Sequence, residues 1–401
     1  MLATLTSSLR DARRARFLPA LWLALLGVFA GGCGPRIPLT ELDVTAKWQL
    51  IDYPPPPQGL AAELHVLAAP HHLAPEILKK FEELYHVKIR LEAVRESEVI
   101  DERTRTGRYD VVIVATYLVQ QWIREKRARP INREAIPNIR YIDSEYFSLK
   151  HDPGLKYSLP LYETAVGVAM NMKYVSGLPL TWPEFAAETG NKFARGRVAT
   201  LDEMRHTMGT ALLMLNLSAN TRDPAEIARA RDFLITTKKQ TGLMLRARRL
   251  ADSLVSEETI LAVATNGDAA RALRENSNVR FVIPRGPSIV NFNSLCIPAN
   301  AAHPTTAEFF VNFLLIPEIT GALSNFSNLG NTCAQSDAFV SAAIHNGPGY
   351  MMPLINDAVF LEDVGDAIKF YLEAWQALNA APDAELQKIP LPFSRTQFST
   401  K

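Results

Sequence analysis

The sequence predicts an α/β protein with a mainly parallel sheet, built as two domains or one large two-lobed unit. Three observations predict it. From Leu64 onward, short β-rich runs alternate with helical patterns. The first 33 residues read as an export signal and not as part of a fold. Beyond them and a Pro-rich stretch, roughly 340 residues remain, more than one ordinary core needs.

In the signal, Arg10, Arg13, Arg14 and Arg16 form a basic stretch, Leu18 to Ala30 an apolar run, and Gly31 and Gly32 lead to Cys33. That order of charged, apolar and small residues is what the export machinery reads. The apolar run is also shorter than the ~20 residues a permanent membrane helix needs. Removing residues 1–32 deletes four arginines and Asp11, moving the formal charge from +1 to −2. No basic excess is left to neutralise a phosphate backbone, so no nucleic-acid partner is expected. Gly34 to Glu63 carries Pro35, Pro38 and the run Pro54 to Pro57 and reads as an extended tether, reaching at most roughly 90 Å. Cys296 and Cys333 show no metal-ligand spacing; outside the cytoplasm they either pair or remain two buried thiols.

The elements follow in order. Leu64–Leu67 reads as a strand, and a helix starts near Pro75 with Ile77, Leu78, Phe81 and Leu84 on its buried face. Val87–Val94 and Tyr109–Ala115 are strands around a charged helical stretch, and Tyr117–Lys126 is a helix. This alternation argues for a sheet covered on both faces. A second set runs through Thr164–Met170, Arg197–Leu201 and a helix over Asp202–Leu217. Asp223 and Pro224 cap and open the next helix. Thr259–Thr265 and Val279–Pro284 are strands flanking a helix at Asp268–Glu275. Ser294–Pro298, a long apolar helix at Thr305–Phe326 and a last helix at Val364–Leu378 complete the chain. No GxSxG, HExxH or GxxxxGK[ST] occurs, so neither an enzyme nor a cofactor is expected. The run Arg246–Arg249 reads as a solvated helical face.

Seven stretches carry a resemblance by their order and spacing: YDVVIVATYLV (109–119), SLPLYETAVGVAMN (158–171), DEMR (202–205), NTRDPAEI (220–227), NG (266–267), NSLCIPANA (293–301) and FFVNFLLIPEI (309–319). From Leu64 to about Ser336 they resemble the bacterial spermidine/putrescine-binding proteins, the extracytoplasmic solute receptors of ABC importers. The resemblance implies a two-lobed periplasmic-binding-protein-like (type II) α/β fold that closes on a ligand in the cleft between its lobes. Residues 64–163 with 293–339 would form lobe one, and 164–292 with 340–401 lobe two. The first segment resembles a bacterial lipoprotein signal over 1–32, so that a lipid on Cys33 would hold residues 33–63 as the tether in the cell envelope. Ala30 stands there where Leu is usual. The implied partners are a small-molecule solute, an ABC permease and ATPase on separate chains, and a membrane; the receptor itself would be a monomer.

A polyamine calls for carboxylates and aromatic faces. Carried over position by position, the resemblance puts the ligand site on His71, His72, Tyr117, Glu163, Glu203, His206, Thr265, Asn291, Asn293 and Asn331. Most of the family's aromatic positions are lost in this set: Thr265 precedes the NG pair, Asn291 and Asn293 replace Trp and Asp, and Asn331 replaces Tyr. None of Trp48, Trp122, Trp182 or Trp375 falls on a pocket position. Glu203 and His206 share a helix face at i, i+3, so His71 or His72 could complete a metal site. Alternatively, protonated histidines with the asparagines would favour a polar or carboxylate-bearing ligand, with occupancy falling as pH rises above about 6.5. Two other roles compete with import: a ligand-binding partner of a membrane signalling receptor, and a degenerate binding fold acting as an envelope interaction protein.

Overall fold

The computed structural model describes residues 51–179, 181–245, 250–384, 386 and 391. The signal segment, Cys33, Trp48, the first part of the tether and the Arg246–Arg249 run lie outside the described residues.

The first half alternates β1 (Glu63–Ala68), α1 (Pro75–Tyr85), β2 (Lys88–Ala93), α2 (Ser97–Thr106), β3 (Val111–Ala115) and α3 (Thr116–Arg124). β1 lies parallel between β2 and β3. All five residues of β3 are buried, which is why Val-Val-Ile-Val-Ala is a continuous apolar run and not an alternating one. The chain then leaves along β4 (Ser158–Asn171) and builds α4 (Trp182–Glu188), β5 (Val198–Thr200), α5 (Met204–Met214), α6 (Pro224–Thr241), β6 (Met244–Leu245), α7 (Leu250–Val255), β7 (Leu261–Thr265), α8 (Asn266–Glu275) and β8 (Val279–Val282). It returns along β9 (Ser288–Cys296) to α9 (Pro304–Leu314), α10 (Pro317–Ser327) and β10 (Gly330–Asn331). α11 (Ala342–His345), β11 (Ala358–Phe360) and α12 (Ile368–Ala380) close the chain.

The main path of the sheet runs β2-β1-β3-β9-β4-β7-β5-β6. The expected parallel pairing holds in the outer strands but not in the middle, where β4 is antiparallel to β9 and β7, and β3 to β9. The reason is geometric: a chain that passes out of one lobe and later returns does so in opposite directions, so the two crossing strands oppose each other. The result is the two-lobed α/β fold. α12 returns to the second lobe, where buried Tyr371 donates to the Thr221 carbonyl at 2.9 Å.

Two expectations are corrected, and one open alternative is decided. The helix expected at Thr305–Phe326 is two helices, α9 and α10, bent by 78°. Pro317 lacks an N–H and disfavours helical backbone before it, so Leu315 and Ile316 break the run. No single described helix is long and apolar enough to cross a membrane. Residues 51–62, expected in the free tether, are docked: Tyr53 stacks on Phe313, Tyr85 donates to the Pro54 carbonyl at 3.1 Å, and Ala61 N–H donates to Thr306 Oγ1 at 2.9 Å. An extended Pro-rich segment leaves its carbonyls unpaired, and here a tyrosine satisfies one of them. Finally, Cys296 and Cys333 are separate buried thiols and not a disulfide. β9 and β10 flank β4 on opposite sides, about 10 Å apart, beyond the ~7 Å a disulfide tolerates between Cα atoms.

Candidate functional site

A cavity of about 100 Å³ opens where β3, β4 and β9 meet the helices that follow the parallel strands. This is the carboxyl end of those strands, where loops and helix starts converge. Four helices begin at its wall. Ser97 is the first residue of α2, while Ala115, Glu203 and Thr265 are the N-caps of α3, α5 and α8. Each such end carries about half a positive charge from its unpaired N–H groups. Two are already capped: Asn291 Oδ1 accepts from Thr116 N–H at 2.9 Å, and Thr265 Oγ1 accepts from Asp268 N–H at 3.1 Å. α2 and α5 have no side-chain cap.

Seven of the ten residues expected at the site line this cavity: His71, His72, Glu203, His206, Thr265, Asn291 and Asn293. Several are occupied with holding the site together. Asn291 spends its carbonyl on Thr116 and its amide on Asn293 Oδ1 at 3.3 Å. Thr265 bonds the Asp268 carboxylate at 2.9 Å as well as its backbone. The other three stand off the cavity wall. Tyr117 is buried and donates to Glu98 Oε1 at 3.3 Å, with the Arg205 guanidinium 5.3 Å from its ring. Glu163 accepts from Tyr146 at 2.8 Å. Asn331 is a structural hub, bonding Ser324, Tyr350, Ser336 and the Cys333 N–H.

The surroundings of His71 and His72 disfavour the positive charge expected of protonated histidines. Burial, Arg95, His71 and Arg271 push the His72 imidazole down to about 3. Burial and the same two arginines lower His71, which sits at φ 68°. Nor do the two histidines form a metal centre with Glu203 and His206. These two meet at 2.9 Å through His206 Nδ1, but among the described residues no group of three or more potential ligands is poised around an ion.

The charges at the cavity that sequence reasoning missed are Arg95, Asp268 and Arg271, with Glu98 behind Glu203. Asp268 is buried; Arg271, one turn along α8, bonds its Oδ1, and Arg95 from the loop before α2 lies 3.6 Å from the same atom. Burial pulls the Asp268 carboxyl upward, but Arg271 and Arg95 outweigh it and hold it below its usual range. Glu98 goes the other way, raised by burial and then by the charge of Glu203. The cavity thus has a cationic cluster on α8 and the loop before α2, and one carboxylate, Glu203, at the start of α5, with Glu98 buried off the wall against Tyr117. No tryptophan, tyrosine or phenylalanine lines it.

A polar cleft in a two-lobed α/β fold suits the binding of a small solute. The chain belongs to the family of bacterial extracellular solute-binding proteins, which it matches over residues 76–352. It is 26% identical over 317 residues to the spermidine/putrescine-binding periplasmic protein 1 of Haemophilus influenzae, covering 76% of this chain and 85% of that one. Among solved structures, a Listeria monocytogenes protein assigned to spermidine/putrescine ABC transport aligns with a TM-score of 0.74 at 22% identity, over 80% of this chain and 99% of its own. The TpPotD lipoprotein of Treponema pallidum aligns at 0.69 and 24%, over 79% and 99%. Both likenesses establish the fold.

Proposed function

We propose that this protein is the extracytoplasmic receptor of an ABC importer, taking up a small polar solute between its lobes and delivering it to a permease and ATPase on separate chains. The observation that carries this reading is the polar cavity at the crossing strands, walled by the starts of four helices, in a chain of the solute-binding family. The relatives' names point to polyamines as the first solutes to try. The lobes divide at the crossings, with 64–163 and 293–339 on one side and 164–292 and 340–401 on the other. Closure of these lobes is the shape change a permease senses.

The same reading places the protein in the periplasm as a monomer, held to a membrane by a lipid on Cys33. The Treponema pallidum neighbour is itself a lipoprotein. The docking of residues 51–62 takes that part of the Pro-rich stretch out of the expected tether.

A thermal-shift screen over polyamines, amino acids, sugars and metal ions tests the receptor role. A ligand at a hundred times its Kd stabilises the native state by about 2.7 kcal/mol, a shift of several degrees. Stabilisation by none of them refutes the reading.

A further inference from the structure

The charges at the cavity do not suit a solute that is cationic at every end. Among the described residues Asp268 is the one carboxylate within ion-pair distance of both Arg95 and Arg271, so the trio carries a net positive charge. The side chains are 19%, 6% and 23% exposed for Arg95, Asp268 and Arg271, so water screens that charge only in part. Asp268 also has little left to give. Its Oδ2 is engaged by Thr265 and its Oδ1 is shared by the two arginines. A guanidinium has five N–H donors in a planar fork. Arg95, at 3.6 Å from Asp268, makes no side-chain hydrogen bond among the described residues, and it stands in the cavity wall. Its fork therefore faces the cleft with its donors unspent. The helix starts around the cavity add partial positive charge and no negative charge.

Glu203 supplies the opposite pole. Glu203 has one oxygen on His206 Nδ1 at 2.9 Å, and Glu98 lies near enough for the charge of Glu203 to be felt there. Glu203 stands in the cavity wall and Glu98 is buried off it against Tyr117, and an ammonium arriving at Glu203 relieves their repulsion. Arg95, Arg271 and Glu203 line the same cavity, so both poles are within reach of one short molecule. Among the described residues the wall offers no tryptophan, tyrosine or phenylalanine face on which a long polymethylene cation would stack.

We propose that the solute is a zwitterion, bearing a carboxylate that docks on Arg95 and Arg271 and an amine that docks on Glu203. This rests on the receptor reading above and narrows it from polar solutes to amino-carboxylates. Asp268 pre-orients the two forks, so a carboxylate meets them without first ordering two long side chains.

The test is calorimetric titration of the full-length chain with three probes of matched length: 5-aminopentanoate, 1,4-diaminobutane (putrescine) and hexanedioate. The zwitterion is expected to bind at least tenfold more tightly than either symmetric probe. Arg95→Gln is expected to weaken it at least tenfold while changing diamine affinity less than threefold. Glu203→Gln is expected to weaken the zwitterion and the diamine together and to spare the diacid. Circular dichroism checks that each variant is folded. Should Arg95→Gln not fold, Arg95→Lys, which keeps the charge but loses the fork, is expected to weaken the zwitterion at least threefold. Equal or tighter binding of diamine or diacid by the wild type overturns the inference and leaves a receptor of another solute class. Binding of none of the three also overturns it, and the wider thermal-shift screen then decides the receptor reading separately.

Discussion

Replacing Asp268 by Asn isolates the charge at the centre of the cationic cluster while keeping its shape. In the wild type a buried carboxylate holds Arg271 and Arg95 and is fixed by Thr265. Removing one partner of a buried ion pair costs about 3–5 kcal/mol. Both arginines retain some exposure, at 19% and 23%, and the amide still accepts hydrogen bonds, so the low end applies: about 3 kcal/mol. The cost has a definite pH dependence. Because the Asp268 carboxyl is lowered in the folded protein, its contribution is fully present above the unfolded value of about 3.9 and is lost as pH falls through the lowered one. Urea unfolding at pH 7 is therefore expected to show the full difference between wild type and Asp268→Asn, with the two curves converging in acid below pH 4. A double-mutant cycle with Arg271→Gln is expected to return a coupling of about 1–3 kcal/mol. A difference under 1 kcal/mol at pH 7, or one that stays constant down to pH 3, refutes the assignment of Asp268 as a stabilising buried charge.

Three further outcomes follow from the same structure. Glu98→Gln is expected to flatten the fall in stability with rising pH, because a carboxyl raised in the folded state stabilises below its unfolded value and loses that contribution as pH climbs through the raised one; unfolding free energies from pH 4 to 8 check this. Gly167→Ala puts a methyl against the Val282 carbonyl and 2.6 Å from the Phe281 ring, in the strand that joins the lobes. A loss of about 1–3 kcal/mol is expected, read as a lowered melting temperature. Cys296 and Cys333 are buried with their thiols raised, so an Ellman titration is expected to find neither reactive in the native protein and both after denaturation without reductant.

Much of this architecture is legible in the residues. The Pro75 helix start and the all-apolar Val111–Ala115 strand lie close to where the periodicity places them. Asp223 caps α6 as expected, accepting from Ala225 N–H at 2.8 Å. The bend before Pro317 was equally available, since Ile316 precedes a proline inside an apolar run, but apolar length outweighs one breaker when only periodicity is counted. The site divides in the same way. Thr265, Asn266, Gly267 and Asp268 spell a helix start with an acid three residues after its cap, and Arg271 follows one turn later on the same face. That much is local and readable. The approach of Arg95 to Asp268 is not, because it joins a loop of the first half to a helix of the second and depends on how the lobes meet. The histidines were misjudged for the same reason: their charge is set by burial and by two arginines distant in sequence.

That distant pairing gives the cleft its selectivity and its coupling to movement. Arg95 precedes α2 and Asp268 belongs to α8; on the proposed division of the lobes they stand on opposite sides of the cleft, so that opening it would lengthen their 3.6 Å separation. A carboxylate held by Arg95 and Arg271 together bridges the same two elements and is strongest when they are close. A ligand shifts a conformational equilibrium only by its differential affinity for the two states. One that touches both arginines has that differential built in; one that touches Glu203 and His206 alone stays on α5 and has none from those contacts. Discrimination between solutes and the drive to close thus reside in the same pair of guanidinium groups.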